Sequence, residues 1–123
     1  MQAVILLGRV LMSAIFLRSG YGKLMAPAAT MGMFMHYRLP AVGAVYAVAL
    51  VVELLGGALI LAGWKTRYVA PVMAAWCIAT AVVAHLHPGD VTQMINFYKN
   101  LCMAGGFLLL GANGAGRISL DRR

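Results

Sequence analysis

Four apolar runs, separated by short polar breaks, take up most of the chain, and each is about as long as a membrane-crossing helix needs to be. The pattern predicts spans over about residues 3–22, 42–63, 68–86 and 95–112. The second run is the least interrupted. VGAVYAVALVVELLGGALILAG carries a single charge, Glu53, near its centre. A charged group at that depth costs about 2.5–3.5 kcal/mol even on insertion scales, so Glu53 is expected to face the bundle interior and to have a partner there.

Polar positions in the other runs fall on helical stripes. In the first run, Arg9, Ser13, Phe16, Gly20 and Lys23 follow three-and-four spacing and share a face. Arg9, two turns inside, is expected to turn inward, whereas Arg18 lies near the end of the span and can snorkel along its aliphatic stem. In the second run Tyr46, Leu50, Glu53 and Gly57 form one stripe, with Gly56 and Gly57 allowing a neighbouring helix to approach. The third run has Pro71 near its first turn and ends in His85-Leu86-His87-Pro88-Gly89-Asp90. The fourth opens on NFYKN, with Asn96, Lys99, Asn100 and Met103 on one side, and continues through Gly105-Gly106. Between the first two spans, KLMAPAATMGMFMHYRLP is apolar enough to lie against the membrane as an interfacial helix over about residues 27–37.

Composition agrees with this pattern and narrows it. The chain is 63% hydrophobic and 11% charged, with mean hydropathy +0.85, well beyond a soluble domain. Residues 1–123 are therefore read as one all-α transmembrane domain, an integral four-helix bundle. The formal charge of +7 does not point to nucleic acid, because the basic residues flank the spans and no basic patch has interleaved aromatics. Lys65, Arg67, Arg117, Arg122 and Arg123 fall on one side and mainly Lys23 and Arg38 on the other, which predicts an N-in, C-in orientation. The first run lacks a basic n-region and carries Arg9, and so reads as a span, not a removable signal.

Metal chemistry is not expected. His85 and His87 are two apart and would not share a helical face, and only Asp90 adds a nearby carboxylate. Met31, Met33 and Met35 alternate with small or aromatic residues, as packing methionines do. Cys77 and Cys102 sit inside spans without CxxC spacing, which favours packing roles for both.

Counting depth at about 1.5 Å per residue brings Arg9 and Glu53 to similar levels. Arg9 is thus the first candidate partner for Glu53, an intramembrane ion pair, with Lys99 the runner-up. If Arg9 takes the carboxylate, Lys99, His85 and Asn100 remain as a polar, net-positive group in the outer half, near Arg18. Lys23 and Tyr46 complete the candidate ligand-binding set. Such a group suits an anion, a carbonyl-bearing lipid or a quinone headgroup.

GRVLMSAIFLRSGYGKL, ELLGGALILAGWKTR, FYKNLCMAGGFLLL and GAGRISLD, in this order and spacing, resemble the DoxX family of small bacterial membrane proteins. The resemblance covers nearly the whole chain. It implies a multi-pass four-helix bundle of the bacterial inner membrane, and Arg9, Lys23, Glu53, Lys99 and Asn100 are the positions matching the pattern. It also raises a quinone-linked or accessory role in a membrane redox or oxidative-stress system, as a non-catalytic subunit working with a partner redox subunit; a homodimer through the glycine faces belongs instead to the carrier reading given below. The chain has no haem, flavin or iron–sulfur motif, so it is not expected to be an enzyme on its own, and quinone is the one cofactor implied. Two other readings stand beside this one: a small permease or proton-coupled carrier using Glu53, and a membrane scaffold or assembly factor whose polar residues only specify packing.

Overall fold

The computed structural model describes residues 1–122 and is helical throughout. We label its helices α1 (Gln2–Met25), α2 (Pro27–His36), α3 (Val42–Ala62), α4 (Thr66–His85) and α5 (Val91–Asn113). Helices α1, α3 and α4 are long and apolar enough to cross a membrane. Helix α5 matches them in length, with 23 residues, but its first half is polar, from Thr92 through Asn100. It begins ahead of the expected fourth span because Asp90 caps it, accepting from the backbone N–H of Gln93.

Consecutive long helices run antiparallel and close into a ring. Gly20 of α1 meets Glu53 and Leu54 of α3, and Gly57 of α3 meets Phe16 and Leu17 of α1. Gly56 lies against Met73 of α4, Gly111 of α5 against Ala70 and Pro71, and Gly106 against Met12 of α1. These contacts confirm the expected use of Gly56, Gly57 and Gly106 for close approach. Gly105 faces open space instead. At the centre, Phe16 and Phe107 meet edge to face, with ring centroids 5.5 Å apart, over Ile60, Met73, Ala74 and Cys77. Large side chains such as Leu11, Val51, Val72 and Leu109 point outward, as they should on a bundle whose solvent is lipid.

Two of the helices widen locally into π turns, Val51–Gly56 within α3 and Ala81–His85 at the end of α4. Turns of this kind are rare and gather at functional sites. Pro71 falls in the second turn of α4, not the first, because the helix already starts at Thr66.

Both termini lie at one end of the bundle, where the tail after α5 is strapped across the other elements. The backbone N–H of Arg117 donates to Gln2 Oε1, that of Leu120 to the Ala62 carbonyl, and that of Asp121 to the Gly63 carbonyl. Helix α3 stops there in a Schellman turn. Gly63 has φ +69°, its N–H bonds to Ile60, and the Trp64 N–H reaches back to Leu59. The basic residues Lys65, Arg67, Arg117 and Arg122 gather at this end; Arg123, counted with them in the sequence, lies outside the described residues.

Candidate functional site

The intramembrane ion pair is Lys23–Glu53, and it replaces the expected Arg9–Glu53 pair. Lys23 Nζ stands 2.9 Å from Glu53 Oε1 and also donates to Ser19 Oγ at 2.7 Å. The helix itself makes this reach easy, since side chains tilt toward the N-terminus and bring Lys23 down over the turn that holds Ser19. The Tyr46 hydroxyl donates to the Lys23 carbonyl at 2.7 Å, so Tyr46 fixes the end of α1 from α3.

Arg9 is occupied elsewhere. Its Nη1 donates to the Ala115 carbonyl at 3.1 Å and its Nη2 to the Ile118 carbonyl at 2.7 Å, while the side chain is buried against the strapped tail. The discrepancy is one of register. Gly63 lies beside Arg9, and Glu53 is ten residues back from Gly63, about 15 Å farther toward the opposite end. That displacement brings Glu53 level with Ser19 and Gly20, within reach of Lys23 and out of reach of Arg9.

The pair sits on the wall of a partly open cavity of about 420 Å³ lined by residues of all five helices. Most of the lining is apolar and aromatic, with Phe16, Phe34, Trp76 and Met103 prominent, and Cys77 is part of it. Polar groups enter at separate places. Lys23, Ser19 and Glu53 come from α1 and α3; Thr80, His85 and Asn100 come from α4 and α5. Both π turns contribute to the same space, one through Glu53 and the other through Val83, Ala84 and His85.

On the second wall, Asn100 Nδ2 donates to Thr80 Oγ1 at 3.3 Å, and the Thr80 hydroxyl donates in turn to the Trp76 carbonyl at 2.9 Å. His85 Nδ1 is 2.7 Å from Gln93 Oε1, which ties the end of α4 to the start of α5. Of the expected ligand-binding set, the structure thus brings Lys23, His85 and Asn100 to one cavity. Lys99, Arg18 and Tyr46 do not line it. Lys99 is exposed because the inward stripe of α5 runs through Asn100, Ala104, Phe107 and Gly111, and the neighbouring position is turned about 100° away. Arg18 is exposed for the same reason, beside the inward positions Phe16 and Gly20 of α1.

Helix α2, expected to lie along the membrane surface, also lines this cavity. Met33, Phe34 and Tyr37 enter the lining, and Phe34 is buried along with Thr30 one turn earlier. The Thr30–Phe34 spacing, followed by Tyr37, is the signal in the sequence that could have revealed an inward face. Among the described residues no group of three or more His, Cys, Asp or Glu side chains is placed to hold a metal ion.

A cavity of this size falls in the range of about 300–1,000 Å³ typical of small-molecule sites, and an apolar lining with a few convergent polar groups is their usual make-up. Its polar groups can hydrogen-bond a small, largely apolar molecule that carries oxygen atoms.

Comparison with known proteins gives a consistent picture. The family model for DoxX matches residues 4–86. The chain is 36% identical over 126 residues to the inner membrane protein YphA of Escherichia coli (strain K12), covering 98% of this chain and 89% of that protein. It is 34% identical over 118 residues to the inner membrane protein YqjF of the same strain, covering 96% and 89% respectively. No solved structure matches the chain.

Proposed function

Because this chain belongs to the DoxX family and its relatives are inner-membrane proteins, we propose that it is an accessory inner-membrane component that binds a quinone-type headgroup between its helices. In this reading it serves a membrane redox or oxidative-stress system by holding or presenting the quinone, and a partner carries out the electron transfer. The same reading puts the strapped, basic end of the bundle in the cytoplasm.

One observation carries it: a buried carboxylate, Glu53, paired with the part-buried Lys23, lies open to a largely apolar cavity inside a bundle whose outer surface is built for lipid. A pair needed only for packing would be expected to close on protein groups. Here Ser19 satisfies one further N–H of Lys23, and the remaining side of the pair borders the cavity.

Purification in native lipid followed by solvent extraction tests the proposal. About one quinone per chain is expected from the wild type, and much less from Ala84→Trp, which fills the cavity from the α4 wall. An extract free of quinone from the wild type, or equal amounts from both proteins, would overturn it.

A further inference from the structure

The hydrogen-bonding capacity left over in the cavity is unevenly divided between donors and acceptors. Glu53 is buried, with 3% of its surface exposed, and only Oε1 has a partner; Oε2 accepts from nothing among the described residues, although Glu53 lines the cavity. No protein donor serves this second carboxylate oxygen, and a ligand hydroxyl in the cavity can donate to it.

The opposite wall repeats the pattern. The hydroxyl proton of Thr80 is engaged by the Trp76 carbonyl, so Thr80 can only accept from Asn100. This fixes the amide with Nδ2 toward Thr80 and leaves Oδ1 as its unused atom. Asn100 lines the cavity as well. Two walls, one on α3 and one on α5, therefore each offer an acceptor that no protein donor serves.

Lys23 keeps one N–H after bonding Ser19 and Glu53, and a ligand hydroxyl or carbonyl can use it equally. His85 Nε2 can donate or accept according to its tautomer. Neither group discriminates between the two oxidation states of a quinone. The acceptors do. An oxidised quinone presents carbonyl oxygens, which set against Glu53 Oε2 and Asn100 Oδ1 would leave acceptor facing acceptor. The reduced quinol presents two hydroxyls and can donate to both.

We propose that the cavity selects the reduced, dihydroxy form of its aromatic ligand through Glu53 Oε2 and Asn100 Oδ1. The inference rests on the quinone-site reading above and adds the redox state of the ligand. A hydroxyl donating to a carboxylate is a charge-assisted bond, stronger than a neutral one, so a preference of about tenfold or more is expected.

Titrations of nanodisc-embedded protein, read by Trp76 fluorescence in a Trp64→Phe background, test it. The probes are a short-chain substituted benzoquinone, its quinol prepared and kept under anaerobic conditions, and the dimethyl ether of that quinol, which keeps the ring and oxygens but cannot donate. The quinol is expected to bind about tenfold tighter than either of the others, and Glu53→Gln to erase most of that margin. The ether comparison uses the unaltered site, so it decides the question even if Glu53→Gln fails to fold. Equal binding of all three probes, or tighter binding of the quinone, would overturn the selection and leave the quinone site standing. Binding of none would overturn both.

Discussion

Lys23 and Glu53, thirty residues apart in sequence, meet at 2.9 Å between the end of α1 and the middle of the antiparallel α3, and they do so at a cavity wall. Removing one partner strands the other in a medium of low dielectric, at a cost of about 3–5 kcal/mol, whereas removing both for apolar groups of similar size is often nearly neutral. Lys23→Met is therefore expected to lower the unfolding midpoint in mild detergent sharply, and Lys23→Met with Glu53→Leu to recover most of the loss. A double variant no more stable than the single one would show that the two residues are not coupled.

A second expectation concerns the tail. Arg9 holds the Ala115 and Ile118 carbonyls, and the Asp121 carboxylate accepts from the backbone N–H groups of Lys65 and Thr66 at the start of α4, acting as a helix cap supplied from a distant part of the chain. Asp121→Ala should cost about 0.5–2 kcal/mol, as the loss of a cap does. Arg9→Met should free the strap itself, and faster tryptic cleavage at Arg117 measures that directly. Unchanged cleavage in Arg9→Met would mean that the tail is held by its other bonds, those to Gln2, from Asp121 and along the backbone, without need of Arg9.

Glycine positions offer a contrast within one protein. A methyl group on Gly63 would meet the Arg9 guanidinium and Ser119 in a backbone conformation with φ +69°. Gly63→Ala is expected to cost about 2 kcal/mol or more from left-handed strain and crowding together. Gly105 has open space around its Cβ position and lies within α5. Gly105→Ala should be neutral or stabilising by up to about 1 kcal/mol, and paired thermal melts compare the two.

Orientation can be read by labelling single cysteines in a background lacking Cys77 and Cys102. If the strapped end faces the cytoplasm, Lys65→Cys is protected from a membrane-impermeant maleimide in intact spheroplasts, and His87→Cys at the opposite end reacts. The reverse pattern would invert the assignment.

Much of this architecture is visible in the sequence, because the apolar runs report helices and the stripe Arg9, Ser13, Phe16, Gly20 reports the buried face of α1. The glycine pairs also announced close helix contacts, apart from Gly105. The pairing of charges was harder to read. Periodicity tells which way Glu53 points but not its level relative to α1, and that level is set by where the α3–α4 turn meets Arg9. The side of Lys99 is hidden in the sequence for a related reason: Lys99 and Asn100 are adjacent and face different surroundings, and only the packing of Phe107 and Ala104 decides which of them turns inward. The role of α2 depended on tertiary contact altogether, since Met33 and Phe34 serve equally well against lipid or as the lining of a cavity.

The strap has one further consequence, in the order of synthesis. Residues 115 to 121 leave the ribosome after every span, and until they do, Arg9 lies in the membrane with no carbonyls to hold and α4 begins without its cap. Completion of this bundle thus waits on residues that follow its last helix. A chain ending at Gly114 would keep all five helices and still lack the Ala115 and Ile118 carbonyls that hold the Arg9 guanidinium, so the interior of the bundle is finished by residues that lie beyond its last helix.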